Sequence, residues 1–356
     1  VCGSHVWQTW RSRMLRRLSA TVQGLYRQSS HQCAGQSASY SATSMRESRI
    51  RRGVQRERRV LDNSDERVHP DVGKTPWNKK LTGDIVRAGR SNEFDVAERS
   101  FDSIEQKDII VYNAIIGAAN RCSKHARGWA YFEELLSKGL TPDIVTKVEA
   151  IRCLGRLSRY KEALAMFKDA QAMGYPQDSE PLVFLAIMSA AAHSGKVVDA
   201  AEHFHALVGR AWGPPLLSHF GAILNACAKA RDAQTALQYF DAIPQYNLVP
   251  TIVQYTSTMG ALRLADLREI EDFAARRVKA SVPLDEHFLE EYIGSLVGHD
   301  LNIANLPQVL QGIDKHRLDV ALRVLAEAKR SNVFLKRLVQ RFERAAAMVR
   351  GDASAR

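Results

Sequence analysis

The chain has 356 residues, 45% of them hydrophobic and 25% charged, with a formal charge of +11. No apolar run reaches the roughly 18 residues that a bilayer-spanning helix needs, and Cys2, Cys33, Cys122, Cys153 and Cys227 form no CxxC pair, which excludes the common zinc spacings and an even disulfide framework. Residues 1–60 hold 12 Arg, no Lys and only Glu47 and Glu57, while the remainder carries 38 basic against 37 acidic side chains, so the basic balance describes the first sixty residues alone.

The sequence begins at Val1, and Met14 is expected to be the translation start. From there MLRRLSATVQGLYRQSS places Leu15, Leu18, Val22 and Leu25 on one helical face, with Arg16, Arg17 and Arg27 supplying charge. An Arg- and Ser-rich, acid-poor, amphipathic segment has the composition of an organellar import signal, mitochondrial before plastid because the arginines come early. A plain basic tail and a basic arm that touches RNA are the alternatives. Residues 1–77 are expected to form a disordered leader and linker. Within them Gly73-Lys74-Thr75 does not make a phosphate loop: Val68 stands where the first glycine belongs, and Pro76-Trp77 follow where a helix must begin.

From Asn78 onward the apolar residues recur at three- and four-residue steps in short paired segments. In Ile109 to Asp143 the first segment carries Tyr112, Ile115, Ile116 and Ala119, and the second carries Trp129, Phe132, Leu135 and Leu136. That spacing predicts a helical hairpin, which cannot bury both stripes alone and must be repeated. Phe101, Phe132, Phe167, Phe204, Phe240 and Phe273 are separated by 31, 35, 37, 36 and 33 residues. Four residues before each stand Ala97, Gly128, Ala163, Ala200, Ala236 and, as the exception, Glu269.

Seven residues beyond successive phenylalanines come Gly139, Gly174, Ala211, Asn247 and Ala280, where a helix ends and a left-handed residue is wanted. Pro142, Pro176, Pro214, Pro250 and Pro283 then block continuation of the finished helix. Residues 78–300 are thus expected to form an array of six to seven hairpins. Residues 301–356 carry two more stripes, Leu318, Ala321, Leu322 and Leu325, then Leu335, Leu338, Phe342 and Ala345, and are expected to cap it. A basic helix that touches RNA phosphates is the second reading of that end.

The 35-residue period, the YNAII opening after Asp108 and the GLTPD ending resemble the pentatricopeptide repeat family. That resemblance implies an all-α, right-handed solenoid of stacked hairpins that binds single-stranded RNA. Copies are read at Asn78–Asp108, Ile109–Asp143, Ile144–Glu180, Pro181–Leu216, Leu217–Thr251 and Ile252–Asp285, with a degenerate seventh from Glu286.

In such proteins the fifth and last residues of a repeat face a base, and the second wedges between bases. The resemblance therefore implies Asn113 and Asp143 as a uracil-type pair with Ile110 as wedge, and Thr256 and Asp285 as a guanine-type pair with Val253 as wedge. Ile144–Glu180 offers Val145 as wedge and Val148 with Asp178 or Glu180; Val148 and Leu185 carry no hydrogen-bonding group, and Gly221 no side chain.

No catalytic constellation is found. His203 and His205 lie about 200° apart around a helix and cannot share a metal, and there is no HxE with a following PCxxC. The expectation is therefore a non-catalytic organellar RNA-binding protein with no cofactor and no membrane segment. The alternative is a helical scaffold for another protein, such as a subunit of an organellar ribonucleoprotein or ribosome.

Overall fold

The same local rules start and stop every hairpin. In the computed structural model, which describes residues 76–176, 179–209 and 214–350, the Asp108 carboxylate accepts the Val111 N–H at 3.0 Å and opens helix Ile109–Arg121 (α3). That helix ends in a Schellman turn: Lys124 N–H bonds Ala119 C=O at 2.8 Å, with Ser123 left-handed at φ 57°. Helix His125–Ser137 (α4) follows and stops at Gly139, φ 72°, where a residue without Cβ adopts the turn freely. Asp143 then opens Ile144–Arg156 (α5).

This pairing recurs along the chain. Pro76–Arg90 (α1) and Phe94–Asp102 (α2) precede it; Tyr160–Met173 (α6), Glu180–His193 (α7), Val197–Val208 (α8), Leu217–Ala230 (α9), Ala233–Ala242 (α10), Ile252–Ala261 (α11) and Leu267–Lys279 (α12) continue it. Glu286–Val297 (α13), Leu306–Gly312 (α14), Lys315–Arg330 (α15) and Arg337–Arg350 (α16) complete the described residues, among which no strand occurs. The described residues form an all-α solenoid of stacked helical hairpins.

Two rows result. The first helices α1, α3, α5, α7, α9, α11, α13 and α15 each pack on the next, and each second helix from α2 to α12 lies against its own first helix and the following one. Small residues permit the close approach. A Cβ added at Gly89 would meet the Ala118 Cα at 2.8 Å, and one at Gly155 would meet the Ala190 Cα at 2.7 Å.

The six phased phenylalanines are all buried, as are Ala97, Ala163, Ala200 and Ala236. Glu269 is exposed and Ile270 takes over its packing. Four of the six phenylalanines meet an aromatic ring at the fourth position of a following first helix, edge to face: Phe101–Tyr112 at 5.4 Å, Phe167–Phe184 at 5.3 Å, Phe204–Phe220 at 4.9 Å and Phe240–Tyr255 at 4.8 Å. Each such pair contributes about 0.5–1.5 kcal/mol beyond burial. In α5 that position is Lys147, which is buried and paired with Asp169.

Two sequence expectations change. The left-handed residue after α12 is Ser281, φ 55°, one place beyond Ala280. A helix does begin at Pro76, because proline suits a first turn, so only Val68 still argues against a phosphate loop at Gly73. Cys122 is the C-terminal cap of α3. The leader, Cys2, Cys33, Asp178 and Ala211 lie outside the described residues.

Candidate functional site

The first-helix row brings Asn113 and Asp143 together. Asn113 Nδ2 donates to the Asp143 carboxylate at 3.2 and 3.3 Å, and Thr146 Oγ1 donates to Asn113 Oδ1 at 2.7 Å. Asp143 also accepts the Thr146 N–H at 2.7 Å, a capping box that fixes the carboxylate. Ile110 and Val145 lie half-buried on successive first helices.

Thr256 and Asp285 are not joined in this way. The Thr256 hydroxyl donates to the Ile252 C=O of its own helix at 2.8 Å, and the Asp285 carboxylate accepts the Phe288 N–H at 2.7 Å. Val253 is exposed, at 58%. Val148 is buried, Leu185 is half-buried, and Gly221 faces the Gln254 amide nitrogen.

A set of buried polar ties at the third position of the copies was not anticipated from the sequence. Thr146 bonds Asn113, as above. His219 accepts the Leu216 N–H on Nδ1 at 2.9 Å, which leaves Nε2–H to donate to the Pro181 C=O at 3.0 Å. Gln254 repeats that arrangement, accepting the Thr251 N–H at 3.1 Å and donating to the Leu217 C=O at 3.4 Å. Each tie stitches one first helix to the start of the preceding one. Burial pushes His219 down to about 4, so the imidazole is neutral, as its acceptor role requires.

At the other end of the row stands a column of basic residues, four of them cationic and the fifth a histidine whose charging burial disfavours. Arg90, Arg121, Arg156, His193 and Lys229 occupy the thirteenth place of successive copies, 31, 35, 37 and 36 residues apart. Their fields overlap: burial first, then Arg156 and His193, hold His125 below its ordinary range. Burial likewise lowers His193, with Arg156 and Lys229 adding to it against a bond to the Ser189 carbonyl. Arg156 and Lys229 are exposed and form no ion pair among the described residues. The column does not continue past α9: the thirteenth place of the next copy is Leu264, and the buried Arg263 before it pairs with Glu291 and Asp300, while Arg231 bonds Asp300 at 3.2 Å.

Between α5 and α7 a cleft is lined by Ile144, Val145, Val148, Glu149, Arg152, Ser179 and Leu182. Arg152 Nη1 donates to Glu149 Oε1 at 2.6 Å, and Asn120 Nδ2 donates to Glu149 Oε2 at 2.7 Å.

The three described cysteines do not offer a reactive thiolate. Burial, and then the Glu149 carboxylate, push Cys153 up to about 12, and burial also raises Cys122 and Cys227. His203 and His205 bond Tyr160 and Tyr239, at 3.3 and 3.0 Å. Among the described residues no cluster of three His, Cys, Asp or Glu is placed to hold a metal, and no helix is long and apolar enough to cross a membrane.

A family model described as the pentatricopeptide repeat domain matches residues 217–263, which hold α9, α10 and α11, rather than the Ile109–Asp143 copy that carries the sequence resemblance. A pentatricopeptide repeat-containing protein of Arabidopsis thaliana is 23% identical over 49% of this chain and 19% of its own length. A second from the same plant, named chloroplastic, is 25% identical over 52% of this chain and 20% of its own. The chain thus spans about a fifth of these relatives. The pentatricopeptide repeat protein PPR10 from maize, solved in complex with an 18-nt psaJ RNA element, shows 17% identity and a TM-score of 0.44 over 84% of this chain and 48% of its own.

Proposed function

We propose, for a chain that belongs to the pentatricopeptide repeat family, that the row of first helices binds single-stranded RNA without chemically altering it. The observation that carries this reading is the cation column at the thirteenth positions, set on the same row as the Asn113–Asp143 pair. Overlapping positive fields along one helix row suit a polyphosphate backbone, which attracts Lys and Arg without regard to sequence. The near-neutral total charge beyond residue 60 conceals this asymmetry.

Base reading is assigned to the other end of the row. An asparagine amide has two N–H donors and an acceptor oxygen with two lone pairs. With one N–H turned to Asp143 and one lone pair taken by Thr146, a donor and an acceptor remain side by side. That pattern matches uracil, whose N3–H is flanked by carbonyl oxygens. Ile110 and Val145 are suited to stack on either side of it. Asp178, Thr256, Asp285 and Val253 hold weaker places in this scheme, because the hydroxyl of Thr256 faces its own helix.

The compartment we assign is an organelle, mitochondrion before plastid, on the composition of the leader. There the protein would affect RNA processing, stability or translation, alone or within a ribonucleoprotein. The buried Val148 and half-buried Leu185 favour a second reading, a scaffold for another protein. The test is retention of a random single-stranded RNA pool by the full chain and by an Arg156→Ala/Lys229→Ala variant at two salt concentrations. Retention that falls with salt, and falls further in the variant, supports RNA; equal retention by both places the binding elsewhere.

A further inference from the structure

We propose that the cleft between α5 and α7 takes a guanine base of the bound RNA, with Arg152 and Glu149 reading its edge. This rests on the RNA reading above and adds a specificity-determining pair to it. The cleft has an apolar floor, Val148, and apolar walls from Val145 and Leu182, which suit the faces of a flat base. Val148 cannot hydrogen-bond, so discrimination must come from the other groups that line the same space.

Those groups are Ser179, Arg152 and Glu149, and among the described first helices the Arg152–Glu149 pair belongs to α5 alone. At the sixth and ninth positions the neighbouring first helices carry Ala114 and Gly117, Ala186 and Ser189, Ala222 and Asn225, and Ser257 and Gly260. A charged couple among small neutral residues, opening on the cleft whose fifth position is mute, is the juxtaposition that carries the proposal.

The couple is also held in place. Asn120 Nδ2 donates to Glu149 Oε2 at 2.7 Å and to the Glu149 C=O at 2.9 Å, while Asn120 Oδ1 accepts from Cys153 Sγ at 3.1 Å, which orients the amide. A Cβ built on Gly117 would lie 3.9 Å from the Glu149 carboxyl carbon, so the glycine leaves room beside it. The Glu149 side chain is 12% exposed and that of Arg152 is 32% exposed, so both reach the cleft from a supported position.

Arg152 directs one nitrogen at Glu149, leaving further N–H donors of its five free for a ligand. Each carboxylate oxygen of Glu149 keeps a second lone pair. Guanine presents an acceptor, O6, beside two donors, N1–H and the N2 amino group, so it can accept from Arg152 and donate twice to Glu149. Adenine would set its N6 amino group against the guanidinium, and uracil offers Glu149 a single N–H. Discrimination of roughly 10- to 100-fold follows from one well-made charged base contact.

The test is selection from a random single-stranded RNA pool by the full chain, followed by affinity measurement on selected oligonucleotides. We expect guanine at the nucleotide next to the one whose identity is lost on Asn113→Ala. Arg152→Lys and Glu149→Gln should relax that nucleotide alone, and inosine there, which lacks the N2 amino group, should bind roughly tenfold more weakly to the unsubstituted protein. Circular dichroism melting checks that the variants fold, and Arg152→Lys keeps the charge so that lost attraction is not mistaken for lost reading. No preference at that nucleotide, or guanine that persists in both variants, would overturn the proposal while leaving RNA binding intact. No retained RNA at low salt would overturn both.

Discussion

Thr146 donates its hydroxyl to the Asn113 amide oxygen across 2.7 Å, and so decides which way that amide faces. The same hydroxyl lies 2.8 Å from the Asp143 carboxylate, so one buried side chain positions both members of the pair. Thr146→Val keeps the shape and removes the hydroxyl. It should cost about 1–3 kcal/mol of stability, the usual penalty for leaving buried partners unsatisfied, as read by urea unfolding. It should also blur selection at the uracil position, because the amide can then rotate.

The tie at His219 makes a pH prediction. Its folded pKa of about 4 lies below the ordinary 6.5 of an unfolded histidine. Above 6.5 the residue is neutral in both states and adds no pH dependence. As pH falls from 6.5 toward 4 the unfolded chain takes up a proton that the folded chain refuses, so stability drops. Below about 4 both states are protonated and the loss levels off, at roughly 3 kcal/mol on the scale of 1.36 per pH unit. Gln254 makes the same two bonds in the next copy without titrating. His219→Gln should therefore be close to the unsubstituted protein at pH 7 and less sensitive between pH 6.5 and 4, checked by urea unfolding at each pH.

The close packing of first helices predicts an asymmetric glycine effect. Gly155→Ala pushes a methyl against the Ala190 backbone, which cannot move aside as a side chain does. Thermal unfolding should show a loss of about 1–3 kcal/mol, the range for overpacking. Gly83, with nothing within 4 Å of its added Cβ, sits mid-helix in α1. Gly83→Ala should instead stabilise by about 0.5–1 kcal/mol through helix propensity.

Arg263 stands one place before the column position of its copy and differs from the column residues in its surroundings. It is buried and paired with Glu291 and Asp300. Arg263→Ala should destabilise the fold by about 1–3 kcal/mol, since it leaves Glu291 without its cation and Asp300 with Arg231 alone. Chemical unfolding should show this loss, in contrast to substitution of the exposed Arg156, which should stay within about 0.5 kcal/mol.

The hairpin repeat was legible because its punctuation is chemical. Buried phenylalanines and small residues a turn earlier, with Gly139 and Gly174 at helix ends, recur whatever the intervening sequence. The turns between first and second helices were not legible, since Ser123, Ser158 and Arg231 hold left-handed conformations that their identities do not announce. The pairing of Asn113 with Asp143 could be expected, but the parallel pairing of Thr256 with Asp285 could not be refused: whether a threonine hydroxyl turns to its own helix is a rotamer choice. The ties at Thr146, His219 and Gln254 join residues 33 to 38 apart, and only stacking reveals them. The cation column was present in the sequence all along, visible once the copies are aligned at their thirteenth residue.

The central claim is that this first-helix row binds an RNA backbone through that column. The most direct measurement is the affinity of the full chain for a single-stranded RNA across a salt series, beside the Arg156→Ala/Lys229→Ala variant. The account predicts weaker binding in the variant and a salt dependence shallower by about 1.4 in log–log slope, roughly 0.7 for each phosphate contact removed, with unfolding unchanged. Identical affinity and slope in the two proteins would contradict it.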